Sequence, residues 1–338
     1  MKKSISFIWV LTLLSGPVSA SAFTAVKDTL PSIPGEHNYI YVRTPLEENE
    51  EKNYDEITFY DGLGRELDFA QSYGANRTAI FIADHHLIEY DSLGRKEKQW
   101  ITAPTSFSYM APEDLKNGIL WDYHDAGKRS YLQTNYESSP LNRITEQYGV
   151  GDAWGNHPAR MEYLTNIPAD SLRCSLYLID DNDALIRRGD YRSGELQVTK
   201  ATDEDGRPTY TFVDKQGRTL LTRIGRGNQQ ADTYFVFDRF GRIRYVLPPM
   251  INDEISAGNL DLYAYQYLYD SFGRCISKKL PSCAAIRYVY DKADRVILSQ
   301  NGNQSQKKEW TFTFYDNQGR LSLTGLCSFN DPPSLDNS

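Results

Sequence analysis

The sequence predicts a mainly β protein: an antiparallel sheet of consecutive hairpins, with an irregular N-terminal region. Two observations carry that prediction. An Asp is followed four positions later by an Arg at Asp61/Arg65, Asp91/Arg95, Asp203/Arg207, Asp214/Arg218, Asp238/Arg242, Asp270/Arg274, Asp291/Arg295 and Asp316/Arg320. Between and around these pairs lie short runs of alternating aromatic and polar residues, such as Thr209-Tyr210-Thr211-Phe212-Val213 and Thr233-Tyr234-Phe235-Val236-Phe237, the period expected of pleated strands.

The spacing of the pairs reads as a hairpin turn. The residue before the Arg is Gly64, Gly94, Gly206, Gly217, Gly241, Gly273 or Gly319, and in the remaining case Asp294. An Asp opening a type I turn accepts a backbone hydrogen bond two residues on. A left-handed Gly then closes a three-residue loop with a G1 bulge, and Asp is among the few side chains that tolerate that conformation. The register sets Asp and Arg opposite each other across the turn. Such a cross-strand pair contributes roughly 0.2–1 kcal/mol, so the recurrence, not any single pair, selects the register. In six copies an aromatic precedes the Asp (Tyr60, Tyr90, Phe237, Tyr269, Tyr290 and Tyr315), and strand alternation turns it away from the charged pair of its own hairpin.

From the N-terminus, Met1-Lys2-Lys3 is a basic start and Ile5–Leu14 an apolar run too short to span a bilayer. Val18-Ser19-Ala20 and Ala20-Ser21-Ala22 offer small-residue cleavage sites, so residues 1–22 read as a secretory signal peptide and the chain as exported, to the periplasm, the outer surface or the medium. Residues 23–51 read as a leader, broken by prolines and the acidic run Glu47-Glu48-Asn49-Glu50-Glu51. Residues 52–189 form an irregular N-terminal domain, with one short helix expected around Ala111–Lys116, where Pro112 and two acids suit a helix start. Residues 190–328 carry the tighter rhythm, with Tyr263, Tyr265, Tyr267 and Tyr269 on one face of a strand and Trp310, Phe312 and Phe314 on another, and residues 329–338 are a polar tail.

Composition narrows the function. The net charge of −8 argues against a nucleic-acid partner, and no later segment is apolar enough to make an integral membrane protein. The 24 Tyr and an aromatic share of 13% suit sheet. In an oxidising compartment four cysteines can pair. Cys275 and Cys283 bracket a hairpin-like stretch and form a candidate disulfide contributing about 2.5 kcal/mol, with two free thiols as the competing reading. Cys174 and Cys327 find no evident partner.

The Tyr-Asp-x-x-Gly-Arg series resembles the YD repeat of the RHS (rearrangement hotspot) family. It is most similar to secreted RHS-repeat proteins of Gram-negative bacteria in which a signal peptide and a domain of unknown function precede the repeats. Tyr60–Arg65, Glu89–Arg95, Ser139–Arg143, Gln147-Tyr148-Gly149 and Ala153-Trp154 resemble the upstream domain. Asp238–Arg242 with Tyr245–Pro249, and Lys279-Leu280-Pro281 ahead of Tyr290-Asp291-Lys292, resemble the repeats. The resemblance implies a structural role, in which YD-repeat hairpins build a sheet that curves into a spiral or shell. Larger members enclose a C-terminal toxin or use the shell at the cell surface. This sequence departs from them after Ser338, without the core-associated region or an effector domain, which implies a partial shell. Asp331-Pro332-Pro333-Ser334 lacks the Gly of the family's self-cleavage motif.

The search for chemistry yields little. Asp84-His85-His86 is the one local cluster suited to start a metal site. Strand alternation would leave only Asp84 and His86 on one face, so the doublet reads as a surface or loop pair. Nucleophile elbows and phosphate-cradling Gly patterns are absent, and Gly149–Trp154 reads as a packed turn. The expectation is a protein that is not an enzyme and holds no cofactor or metal, a secreted or surface structural and interaction protein whose partner completes the sheet. The alternative is a surface glycan-binding or glycan-cleaving module, with a cell-surface glycan as its partner.

Overall fold

The computed structural model describes residues 38–46, 52–75, 82–106, 110–122, 129–225, 230–251 and 254–328. The signal peptide, the acidic run and the polar tail lie outside them. The chain divides into two compact units, one ending at Arg160 and the other beginning at Met161.

In the first unit β1 (Asn38–Pro45), β2 (Lys52–Tyr60), β3 (Glu66–Ala75) and β4 (Ile82–Tyr90) pair antiparallel in chain order. The second half of β4 continues to β5 (Lys96–Trp100), while its first half pairs with β6 (Ala103–Ser106). Helix α1 (Pro112–Asp122) follows, and then β7 (Tyr131–Tyr136) and β8 (Ile144–Tyr148) extend the ladder from β5 to β9 (Ala159–Thr165), within which the division falls. The expected helix is present and longer than Ala111–Lys116. Pro112 opens it where no N–H is required, and Glu113 and Asp114 suit its first turn. Leu115 and Ile119, four apart, project from one side of α1 into a cluster with Leu87 and Trp100. Residues 38–45 belong to strand, not to a leader. The run Tyr39-Ile40-Tyr41-Val42 pairs residue for residue with Glu56–Phe59 of β2, and Tyr41 packs on Ile57, Phe59 and Ala70.

The second unit holds a separate hairpin of β10 (Ser175–Ile179) and β11 (Leu185–Asp190). The main ladder runs through β12 (Gln197–Thr202), β13 (Pro208–Val213), β14 (Thr219–Ile224), β15 (Ala231–Phe237) and β16 (Ile243–Leu247). After α2 (Ala257–Tyr263) come β17 (Tyr265–Tyr269), β18 (Cys275–Lys279), β19 (Ile286–Tyr290) and β20 (Val296–Gln300). A short α3 (Gly302–Lys307), capped reciprocally by Asn301 and Gln304, leads to β21 (Glu309–Tyr315) and β22 (Leu321–Ser328). Twenty strands thus share one antiparallel sheet. Among the described residues its two end strands, β1 and β22, each pair on one side only, so the sheet is not closed into a barrel. Among these residues no helix is long and apolar enough to cross a membrane.

The division at Arg160/Met161 falls well before residue 190, where the change of rhythm suggested it. Packing explains the difference. Cys174 and Tyr177 are buried in the second unit's core with Val198, Phe212, Leu221 and Val236, so β10 and β11 belong with the repeats. Strand β13 shows how that core is made, with Tyr210 and Phe212 buried and their neighbours half-buried. Tyr263 does not continue the stripe of Tyr265, Tyr267 and Tyr269, because it ends α2 and Ala264 intervenes.

The four cysteines are free thiols, so Cys275 and Cys283 do not form a disulfide. The register gives the reason. Ser277 faces Arg287 and Lys278 faces Ile286, while Cys283 lies in the connecting turn, its N–H bonded to the carbonyl of Leu280. The five residue-to-residue steps from Cys275 to Leu280 span about 16 Å of strand, well beyond the Cα separation of about 7 Å that a bridge tolerates. The thiol of Cys174 is pushed up to about 12 by burial. Thiol titration of protein unfolded without reductant is expected to find all four cysteines reactive; a count of two would contradict the register.

Candidate functional site

The hairpin turns are the feature most often built in this chain. All eight Asp/Arg signatures sit at turns, none within a helix. In each, the N–H of the Asp donates to the Arg carbonyl at 2.8–3.1 Å, and the N–H of the fourth residue donates back to the Asp carbonyl at 2.9–3.2 Å. The fourth residue is left-handed throughout, from φ 78° at Gly64 to 87° at Gly273, with Asp294 at 59°. Oδ1 of each Asp accepts the N–H of the Arg, at 2.7–3.0 Å. In seven of the eight, Oδ2 accepts Nε of the guanidinium at 2.6–2.8 Å.

The aromatic before the Asp serves the preceding hairpin. Arg65 lies over the ring of Tyr90 at 4.4 Å, Arg95 over Tyr136 at 4.6 Å and Arg242 over Tyr269 at 4.7 Å. Arg218 lies over Phe237, Arg274 over Tyr290 and Arg295 over Tyr315, at 4.9–5.1 Å. Each of these tyrosines also donates its O–H to the carbonyl of the residue after the preceding Arg. The pairs are Tyr90 to Glu66, Tyr136 to Lys96, Tyr269 to Ile243, Tyr290 to Cys275 and Tyr315 to Val296, at 2.6–3.0 Å. Nη1 of Arg95, Arg242 and Arg274 donates further, to the carbonyls of Glu137, Asp270 and Asp291 in the next turn. One guanidinium therefore ties its own carboxylate to the ring, and in these three cases the backbone, of the following hairpin.

The left-handed position of the next turn leaves room for that guanidinium. A Cβ at Gly94 would stand 3.0 Å from Nη1 of Arg65; at Gly241 and Gly273 the preceding Arg would be 3.7 Å away. Where Asp294 replaces Gly, its carboxylate pairs with Arg274 at 3.0 Å. The exception is Arg207, whose side chain is 75% exposed and turns to Asp205; the strand paired next to its own, β14, ends at Ile224. Two further turns follow the pattern in altered form. Glu137–Arg143 is a stretched copy, with Asn142 left-handed and both carboxylate oxygens of Glu137 gripping Arg143 at 2.7 Å. Asp180–Ala184 closes in the same way without an Arg, and its left-handed Asp183 pairs instead with buried Arg244. That copy escaped the sequence reading because Ala184 stands where the Arg would be.

Eight of the turn carboxylates, Glu137 among them, are held in their charged form. Asp61, Asp91 and Asp316 lie below the usual range, first because of the backbone N–H of the following Arg and then its guanidinium. At Asp214, Asp238, Asp270 and Asp291 burial pushes upward, but the same hydrogen bonds together outweigh it. The guanidinium of Arg143, then the hydroxyl of Ser139, takes Glu137 down to about 2. Carboxylates saturated in this way are poor proton donors or acceptors near neutrality.

The His doublet does not lie at the surface or in a loop. It is on β4, with His85 fully buried and its Nδ1 2.6 Å from Oδ2 of buried Asp68, while the ring of His86 lies against Phe69. Among the described residues no three His, Cys, Asp or Glu side chains gather in a way that could hold a metal. Trp154 sits in a short 3-10 turn, 46% exposed, with its ring against Gly149. Two clefts of about 320 and 340 Å³ open in the second unit. The first is bordered by Tyr177, Tyr191 and Tyr234 with Arg218 and Asp238, which are engaged in their turns; the second is bordered by Arg223 and Asp232, paired with each other.

With this geometry in view, residues 37–165 match the family of a domain of unknown function (DUF6443). No curated protein matches the chain. Two crystal structures are among those whose fold it resembles. One is TcdB2-TccC3-TEV, with a TM-score of 0.55 and 13% identity over 92% of this chain and 14% of that one. The other is TcdB2-TccC3 without its hypervariable C-terminal region, also at 0.55 and 13%, over 89% of this chain and 14% of that one. At that identity the likeness is one of fold. This chain spans about 14% of the length of those proteins.

Two sets of variants test the turns. Tyr90→Phe, which removes the bond to the Glu66 carbonyl but keeps the ring, is expected to cost about 1 kcal/mol, and Tyr90→Leu about twice that as the cation–π contact also goes. Gly94→Ala and Gly319→Ala should each cost about 1–2 kcal/mol through positive φ. Gly94→Ala should cost the more, since nothing lies within 4 Å of a Cβ at Gly319. Urea unfolding midpoints measure all four.

Acid should weaken the fold in a defined window. A carboxyl whose pKa is lower in the folded protein stabilises it above its unfolded value near 4, and that contribution is lost as pH falls through the folded value. Urea midpoints are therefore expected to hold from pH 7 to about 5 and to fall steeply below about 4. Asp91→Asn should lower the midpoint at pH 7 and flatten the acid slope.

Proposed function

We propose that this chain is a non-catalytic structural and interaction module, a partial β-shell of the RHS type, exported after loss of residues 1–22. It works at or beyond the cell envelope with a protein partner that completes the sheet. One observation carries the reading: the conspicuous charged residues of the repeat are spent on one another. Seven Asp carboxylates each take up a guanidinium, and six of those guanidiniums also cover the next hairpin's ring. A set of groups satisfied in this way joins hairpins and has little left for substrate. The match of residues 37–165 to a domain of unknown function and the fold shared with TcdB2-TccC3 support the family reading. Curvature into a shell is part of the proposal.

The glycan reading keeps a foothold in the half-exposed ring of Trp154. The purified, processed protein is expected to bind nothing on a glycan array and to hydrolyse none of its sugars. Expressed with its own leader, it should be recovered outside the cytoplasm with an N-terminus close to residue 23. Glycan binding that Trp154→Ala abolishes without unfolding the protein would replace the structural reading with the lectin one.

A further inference from the structure

The guanidinium interlock runs in one direction: each Arg reaches forward to the aromatic of the next hairpin. Six arginines with such a ring (Arg65, Arg95, Arg218, Arg242, Arg274 and Arg295) have side chains 16–36% exposed. Arg320 is 75% exposed. Unlike Arg207, it has not left its post: Nε still donates to Oδ2 of Asp316 at 2.7 Å, and the side chain leans toward Gln318. It is held as the other six are, with its forward face open. Beside it runs β22, paired only with β21 among the described residues, with Leu321, Leu323 and Leu326 exposed by 54–64%.

From this we infer that the outer edge of β22 and Arg320 form a socket for a strand supplied by another polypeptide, one that ends in an aromatic followed by Asp. The register of the chain's own hairpins fixes the fit. Val246 faces Tyr265 and Tyr245 faces Gln266, which sets Arg242 opposite Tyr269 at the end of the incoming strand. By the same rule the partner's aromatic lies opposite Arg320. Its ring goes beneath the guanidinium, and, where it is Tyr, its O–H donates to the carbonyl of Leu321. Main-chain pairing along β22 provides most of the affinity and the aromatic-Asp end provides the specificity. A second copy of this chain does not present that end at its free edges: β1 finishes in Thr44-Pro45 and β22 in Cys327-Ser328. The inference builds on the structural reading above by naming the partner's chemistry, and it fails independently of the glycan test.

The test uses the full processed chain and a fluorescent, backbone-cyclised peptide of Tyr265–Lys279 carrying Cys275→Ser, with its hairpin fold checked by NMR. Anisotropy titration is expected to give saturable binding. Tyr269→Leu in the peptide and Arg320→Ala in the protein should each weaken it by about three- to tenfold. The two together should weaken it less than the product of the single effects, because they remove one contact. Arg320→Lys, which keeps charge without the planar face, should fall between. Circular dichroism and the urea midpoint check that the variants remain folded. Absence of binding, or binding equal for wild type and Arg320→Ala, overturns the inference. So does a dimer in sedimentation velocity that the peptide fails to displace, since β22 would then be covered by a second copy.

Discussion

A single planar cation, the guanidinium at the end of each hairpin, holds the repeat region in register. Taken singly its contacts are modest. An exposed carboxylate pair contributes about 0–1 kcal/mol and a cation–π contact at an exposed site about 0.5–1 kcal/mol. Their effect comes from sharing one rigid group. The carboxylate fixes the plane of the guanidinium, and that plane fixes where the next ring lies. The tyrosine hydroxyl then bonds to the backbone beside the same Arg, as Tyr90 does at Glu66 and Tyr290 at Cys275. Backbone ladders alone tolerate slippage by two residues, which preserves which side chains face the core. A slipped hairpin here would part the guanidinium from its ring.

This constraint explains residue choices that a single-hairpin view leaves open. The left-handed position is constrained twice, by its own φ and by the Arg that arrives from the hairpin before. Gly meets both demands at Gly94, where the Arg65 guanidinium would be 3.0 Å from a side chain. Asp meets them in another way at Asp294, by pairing with the arriving Arg274. The preference for Tyr over Phe in the aromatic position follows from its hydroxyl, which at Phe237 is lost while the ring contact with Arg218 remains. Arg207 is the counter-case: it lacks the Nε bond to its Asp, and its side chain is 75% exposed and turns to Asp205.

Much of this was legible in the sequence because it is local. The Asp-to-Arg spacing and the Gly before the Arg encode a turn whose bonds close within five residues, and all eight form. The helix at Pro112 was legible for the same reason. Contacts between hairpins were not, since Arg65 and Tyr90 are set side by side only by strand order. The division at Arg160, rather than near 190, was hidden because β10 and β11 lack the full signature yet bury Cys174 and Tyr177 in the repeat core. His85 was misplaced because a doublet of polar residues looks solvated until its partner is known, and that partner, Asp68, lies on the preceding strand. The cysteine bridge failed on register, which depends on where the turn falls between Lys279 and Ile286.

A one-directional contact makes the two sides of every hairpin chemically different, and this bears on how such a sheet can grow. The leading strand contributes an aromatic, the trailing strand an Arg, and neither substitutes for the other. Between β7 and β8 the acid is Glu137, long enough to take the guanidinium of Arg143 through both oxygens, and the register of β8 with β9 sets Tyr163 opposite Arg143, followed by Leu164 and not by an acid. At the far end of the described ladder the acid is again a short Asp316, as in the six turns whose Arg covers a ring. The chemistry of that last turn is the chemistry of an interior one. An edge built with interior chemistry selects what can pair with it by more than its exposed backbone: an incoming strand that ends in a tyrosine gains a ring contact and a hydrogen bond that one ending in Thr-Pro does not.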